Sequence, residues 1–186
     1  MAVESVEVAK TIKPEEYPMS RNFVILQVLL RLLAGVAALA AAITMAVNKT
    51  TFVYFGLSIT AKYNYSGAYE FFVGANSIAF AYATASAVFL KLKSSSLKPK
   101  CQFLIFFSDL TMVALLIAGC SAALAVGYIA KYGNAHAGWI PVCRYMESFC
   151  NIGVISIVFS FGAFLVFYLL AAITMKSPRQ IPVASC

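Results

Sequence analysis

The sequence predicts an all-α integral membrane protein: a four-transmembrane-helix bundle with both termini in the cytosol. Three observations predict it. Of 186 residues, 62% are hydrophobic and only 11% are charged, and the mean hydropathy of +0.85 is far from that of an ordinary soluble domain. Four apolar stretches, at about 22–47, 68–90, 103–130 and 151–175, each hold the ~20 residues that a helix needs to cross a hydrocarbon core. Basic residues gather at the boundaries of these stretches, and they gather unevenly.

The first stretch follows a polar segment, 1–21, and its apolar run exceeds the ~7–15 residues of a signal h-region, so it is expected to stay in the mature protein. Lys10, Lys13 and Arg21 precede it; Lys91, Lys93, Lys98 and Lys100 fill the second link; Lys176 and Arg179 follow the fourth stretch. These nine face Lys49, Lys62, Lys131 and Arg144 on the other side. The positive-inside rule therefore puts 1–21, the 91–102 link and 176–186 in the cytosol. With no binding motif or aromatic interleaving around them, the basic residues read as topology signals, and nucleic acid is not an expected partner. The links and tails are too short to bury a core of their own, so the chain folds around one bundle.

Within the first stretch, Ala34, Ala38 and Ala42 recur at four-residue spacing, the pattern that lets helices approach closely in lipid. The link after it carries two N-x-[ST] sequons, at Asn48 and Asn64, both on the side assigned to the outside and both glycosylation candidates. In the second stretch Ala75, Ala79, Ala83 and Ala87 stand in register, with Asn76 and Tyr82 as polar groups able to hydrogen-bond across a bundle. The third stretch carries Gly119, Ala123 and Gly127 at the same spacing. These small-residue faces suit packing within one subunit or between subunits. Cys101, at the cytosolic flank of the third stretch, is a palmitoylation candidate or an idle thiol, and Cys120 suits the core.

The second outer link reads YGNAHAGWIPVCRYMESFC. Cys143 and Cys150 lie seven residues apart on the oxidising side, where disulfides persist. Closing so short a loop stabilises by roughly 2–3 kcal/mol on the chain-entropy model. The competing reading, a metal site, finds only His136 nearby, short of the three or four ligands required.

One letter in FFSDLTMVALLIAGC, residues 106–120, is out of keeping: Asp109. Arg31, in the first stretch, is the other clear intramembrane charge. The two stretches run in the same direction and the depths of the two residues nearly match. Each charge alone costs about 2.5–3.5 kcal/mol at a helix centre, so facing one another inside the bundle is the inexpensive arrangement. Such a pair most simply fixes helix register. Two other readings are a conduction path, which ordinarily needs a relay of several groups, and an Arg that snorkels. No paired carboxylates, nucleophile elbow, phosphate loop or HExxH is present, so neither an enzyme nor a cofactor is expected.

Four strings together carry a resemblance: VLLRLLAGVAALAAAITMA, AKYNYSGAYEFFVGANSIAFAYA, FFSDLTMVALLIAGCSAALAVGYI and the Trp-Pro-Cys-Cys link above. Over about residues 20–175 the chain resembles the Casparian strip membrane protein-like (CASP-like) family of land plants, and more narrowly a non-Casparian member of its first subgroup. The resemblance implies a plasma-membrane protein of four spans with cytosolic termini, distantly akin to MARVEL-domain proteins. It also implies homodimers and heterodimers with related CASP-like proteins, gathered into immobile platforms. Founding members of the family recruit secreted wall-modifying enzymes, peroxidase machinery that polymerises lignin. On this resemblance Arg31 and Asp109 take the family's intramembrane charge positions, Cys143 and Cys150 its outer-loop cysteines, and Trp139 belongs to the same ordered loop. The first outer link, NKTTFVYFGLSITAKYNYSG, lacks the acidic and aromatic signature of the founding members, which points to a membrane domain other than the Casparian strip. Claudins carry their Trp and two Cys in the first outer link rather than the second, so that likeness fails. The expected function is a non-enzymatic scaffold, and the alternative is a small channel or transporter subunit that uses the Arg31–Asp109 pair.

Overall fold

The computed structural model describes residues 21–54, 57–93 and 99–176. The expected tails, with Lys10, Lys13 and Arg179, and Lys98 of the second link lie outside the described residues, apart from Arg21 and Lys176 at the helix ends. Helix α1 is Arg21–Ala46, α2 Gly67–Lys93, α3 Pro99–Tyr132 and α4 Glu147–Lys176. All four are long and apolar enough to cross a membrane. Two helices start earlier than their apolar runs because polar residues suit a first turn. Pro99 needs no hydrogen-bond partner for a missing N–H, and Glu147 complements the positive end of the helix dipole.

The helices form a ring in which α1 packs on α2 and α4, and α3 packs on α2 and α4, leaving α1 and α3 across the diagonal. Large apolar side chains such as Leu29, Val36, Ile78, Val88, Leu124 and Val158 point outward, while alanines fill the interior. This arrangement suits lipid, where apolar surface has nothing to gain by turning inward and close helix contact holds the bundle together. A Cβ added at Gly35 would sit 3.1 Å from the Ala83 Cβ, and one at Gly119 would sit 3.4 Å from the Ala75 Cβ. These are the closest approaches of α1 to α2 and of α2 to α3 made by glycine. Ala34, Ala38, Ala42, Ala75, Ala79, Ala83, Ala87 and Ala123 are all buried, so the small-residue faces are used inside the subunit.

Between α1 and α2 lies a β-hairpin that the sequence reading did not assign. Strand β1, Lys49–Tyr54, pairs antiparallel with β2, Leu57–Lys62, and Lys49 is opposite Lys62. Threonine, valine, isoleucine and aromatic residues favour the pleated form, and the hydroxyls of Thr51 and Thr60 meet across the strands at 3.1 Å. The hairpin marks one end of the bundle, called the hairpin end below.

Candidate functional site

Gln27, Arg31, Ala34, Ala38 and Met45 recur at helical spacing and form the buried face of α1. Arg31 is the tenth residue after the start of α1 and Asp109 the tenth after the start of α3, so each lies about 15 Å along its helix. The structure brings them together across the diagonal. Arg31 Nη1 and Nη2 donate to Asp109 Oδ1 and Oδ2, both at 2.6 Å, and both side chains are 0% exposed. Two parallel charge-assisted bonds are the strong form of this pair, and they fix direction as well as distance.

Helix α2 completes the site from successive turns. The Tyr82 hydroxyl donates to Asp109 Oδ1 at 2.7 Å, and Ser86 Oγ accepts from Arg31 Nη1 at 3.1 Å. The Ser86 hydroxyl proton is directed to the Tyr82 carbonyl, 2.7 Å away. The Tyr82 ring also lies 5.9 Å from the guanidinium carbon and 6.0 Å from the Phe167 ring of α4. One aromatic side chain thereby joins the charge pair to the fourth helix. One turn from Arg31, Gln27 Nε2 donates to Thr174 Oγ1 at 3.3 Å and ties α1 to α4. On the hairpin side of the pair Ala34, Ala38, Ala79, Leu116 and Ala163 make a fully buried apolar layer. Tyr82 and Asn76 stood out in the sequence as polar groups, but Gln27 and Ser86 did not. Their signal was spacing: each lies four residues from a member of the network on the same helix.

Beyond that layer, the Cys120 thiol donates to Ser160 Oγ at 3.2 Å and Ser156 donates to Thr44 Oγ1 at 2.8 Å. Asn76 turns back on its own helix, donating to the Phe72 carbonyl at 2.9 Å. Among the described residues no group of three His, Cys, Asp or Glu side chains lies close enough to hold a metal ion.

At the hairpin end the link between α3 and α4 is ordered by its own bonds. Gly133 ends α3 with φ +73°, its N–H donating to the Ile129 carbonyl, and a Cβ there would come within 2.6 Å of the Trp139 carbonyl. Only glycine fits both conditions. The backbones of Asn134 and Trp139 exchange hydrogen bonds at 2.9 and 3.0 Å, and the Trp139 side chain is 57% exposed. Cys143 and Cys150 form a disulfide with Cα atoms 5.8 Å apart, clamping the link to the first turn of α4. Tyr145 stacks on Phe52 of the hairpin with ring centres 6.2 Å apart, so the two links touch.

Of the two glycosylation candidates, Asn48 is packed inside. It is 2% exposed, and its Nδ2, the atom a glycan would occupy, donates to the Phe149 carbonyl at 2.9 Å. Asn64 is exposed in a short 3-10 helix, Tyr63–Tyr65. Cys101 is a half-buried free thiol in the first turn of α3, at the end opposite the hairpin. Gly119 is packed inside, whereas Gly127 lines a groove between α3 and α4.

The model of the Casparian strip membrane protein domain matches residues 20–166. The chain belongs to this family. CASP-like protein 1F1 of Ricinus communis is 41% identical over 162 residues, covering 87% of this chain and 90% of the relative. CASP-like protein 1F1 of Vitis vinifera is 38% identical, covering 83% of this chain and 75% of that protein. The Arabidopsis thaliana protein of the same name is 34% identical, with 83% and 89% covered. No solved structure matches the chain. As a CASP-like protein it is a multi-pass membrane protein.

Proposed function

We propose that this CASP-like protein is a non-enzymatic scaffold of the plasma membrane, associating with copies of itself and with related CASP-like proteins to organise a membrane domain. The observation that carries this reading is the closed interior. Arg31 and Asp109 are 0% exposed, and both carboxylate oxygens are taken by donors from two other helices. A group that conducts must exchange partners with water or an ion, and a buried pair whose carboxylate oxygens are both bonded instead holds helices in fixed register. In this reading the end bearing Arg21, Lys91 and Lys176 is cytosolic, in accord with the charge asymmetry. The hairpin and the disulfide link then face the wall and form the surface on which secreted wall-modifying enzymes would be recruited.

The test is fluorescence recovery after photobleaching of a C-terminally tagged copy in plant plasma membrane, with sizing on blue-native gels. Recovery much slower than that of an unrelated four-span protein, and a species larger than the monomer, are expected. Fast recovery with a monomer-sized band would remove the scaffold reading.

A further inference from the structure

The bundle carries a groove of about 1010 Å³ on its outside, between α3 and α4 at the hairpin end. It has no part in the ion-pair network. Along α3 it runs from Ser121 to Tyr132 and along α4 from Glu147 to Ile157, eleven and ten residue steps. At 1.5 Å per residue this is about 15 Å, half of a ~30 Å hydrocarbon core. The groove therefore has the length of one leaflet.

Its chemistry changes along that length. The deep part is apolar, with Leu124 and Val154 more than half exposed along its walls. Glycines make room for it: a Cβ at Gly127 would touch only the Tyr69 hydroxyl at 3.9 Å, and one at Gly153 would meet nothing within 4 Å. The mouth is polar and predominantly basic. Lys131 and Arg144 line it, with Glu147 as the opposing charge. Among the described residues neither cation forms an ion pair. Lys131 lies over the Tyr132 ring at 5.5 Å, and Tyr132 and Tyr128 lie 4.8 Å apart, aromatic rings of the kind that settle at headgroup level. The disulfide fixes Arg144 there, since Cys143 and Cys150 form part of the same wall.

We infer that this groove is a binding site for one phospholipid of the adjoining leaflet, its phosphate held between Lys131 and Arg144 and an acyl chain lying along the Leu124–Val154 walls. Length, apolar depth and unpaired cations at the headgroup level together select a phosphate-bearing amphiphile over a free anion, which would leave the apolar walls uncovered.

Native mass spectrometry of the full-length protein in detergent tests this. The probes are dioleoyl phosphatidylglycerol and dioleoylglycerol, which share their chains and differ in the phosphate headgroup. The wild-type protein is expected to retain one phosphatidylglycerol in preference to dioleoylglycerol by about tenfold or more, the scale of one or two charge-assisted hydrogen bonds. The Lys131→Gln, Arg144→Gln double variant should lose that preference while its intact mass still reports the Cys143–Cys150 disulfide. Gly153→Leu, whose Cβ meets nothing within 4 Å and whose side chain would occupy the groove, should lose the lipid altogether. Equal retention of the two probes by the wild type would overturn the proposal. So would an undiminished preference in the double variant, or a dimer abolished by Gly153→Leu with lipid retention unchanged, which would give the groove to a second copy.

Discussion

Removing the Asp109 carboxylate leaves a guanidinium that water does not reach. Asp109→Asn keeps the shape but strands Arg31, and breaking a buried pair in this way costs about 3–5 kcal/mol. The expected result is a large fall in melting temperature and in yield at the membrane, read by fluorescence-detected size exclusion. Tyr82→Phe removes one donor from a charged acceptor, so its cost should be smaller, about 1.5–3 kcal/mol. If Tyr82→Phe were as damaging as Asp109→Asn, the hierarchy of the network would be wrong. The double variant Arg31→Asp, Asp109→Arg should recover part of the yield, since the attraction survives the exchange while the Tyr82 and Ser86 bonds must re-form. The pair was legible in the sequence because a charge in hydrocarbon demands an explanation. Ser86 and Gln27 were not, because an uncharged polar residue can bond to its own helix instead of to a neighbour, as the Asn76 Nδ2 does to the Phe72 carbonyl.

Helix contacts follow from residue size, and that makes position decisive. Gly119→Leu would push against the Ala75 Cβ and the Phe72 backbone, both within 3.6 Å of the added Cβ, and overpacking of this kind costs typically about 1–3 kcal/mol. Gly74→Leu on α2 projects into open space, and its effect should stay within about 0.5 kcal/mol. Thermal melts of the two variants check the contrast, and equal losses would show that the stripe does not set the α2–α3 distance. The four helices were legible because length and hydropathy suffice to define a span. The hairpin was missed although KTTFVYFGLSITAK is rich in β-branched and aromatic residues. A two-stranded sheet is marginal by itself, and what supports this one is tertiary: the Phe52–Tyr145 stack and the Asn48 bond to Phe149. Those contacts join residues about a hundred positions apart, beyond the reach of local pattern. The same burial sets Asn48 apart from the exposed Asn64 as a glycan candidate.

At the scale of the whole molecule the two ends differ in charge and in covalent chemistry, and both differences bear on orientation. Of the described residues Arg21, Lys91, Lys93, Lys100 and Lys176 stand at the helix ends opposite the hairpin, four further basic residues adjoin those ends in the sequence, and Lys49, Lys62, Lys131 and Arg144 belong to the hairpin end, so the proposed orientation is with the hairpin outward. The sequon at Asn64 and the disulfide at Cys143–Cys150 lie at the hairpin end, and the free thiol of Cys101 lies at the other. If the hairpin faces outward, Asn64 meets the glycosylating compartment in an exposed position, whereas Asn48 is 2% exposed. Treatment with an N-glycosidase should therefore shift the protein on a gel; Asn64→Gln should abolish that shift and Asn48→Gln should leave it unchanged. In a Cys186→Ser background, a membrane-impermeant maleimide should label Cys101 only after the cells are permeabilised, because in the proposed orientation its end of α3 faces the cytosol. Labelling in intact cells would reverse the orientation, and with it the assignment of the disulfide link as the wall-facing surface. A glycan shift that survived Asn64→Gln and vanished with Asn48→Gln would mean that Asn48 is modified before α4 docks and its amide reaches Phe149.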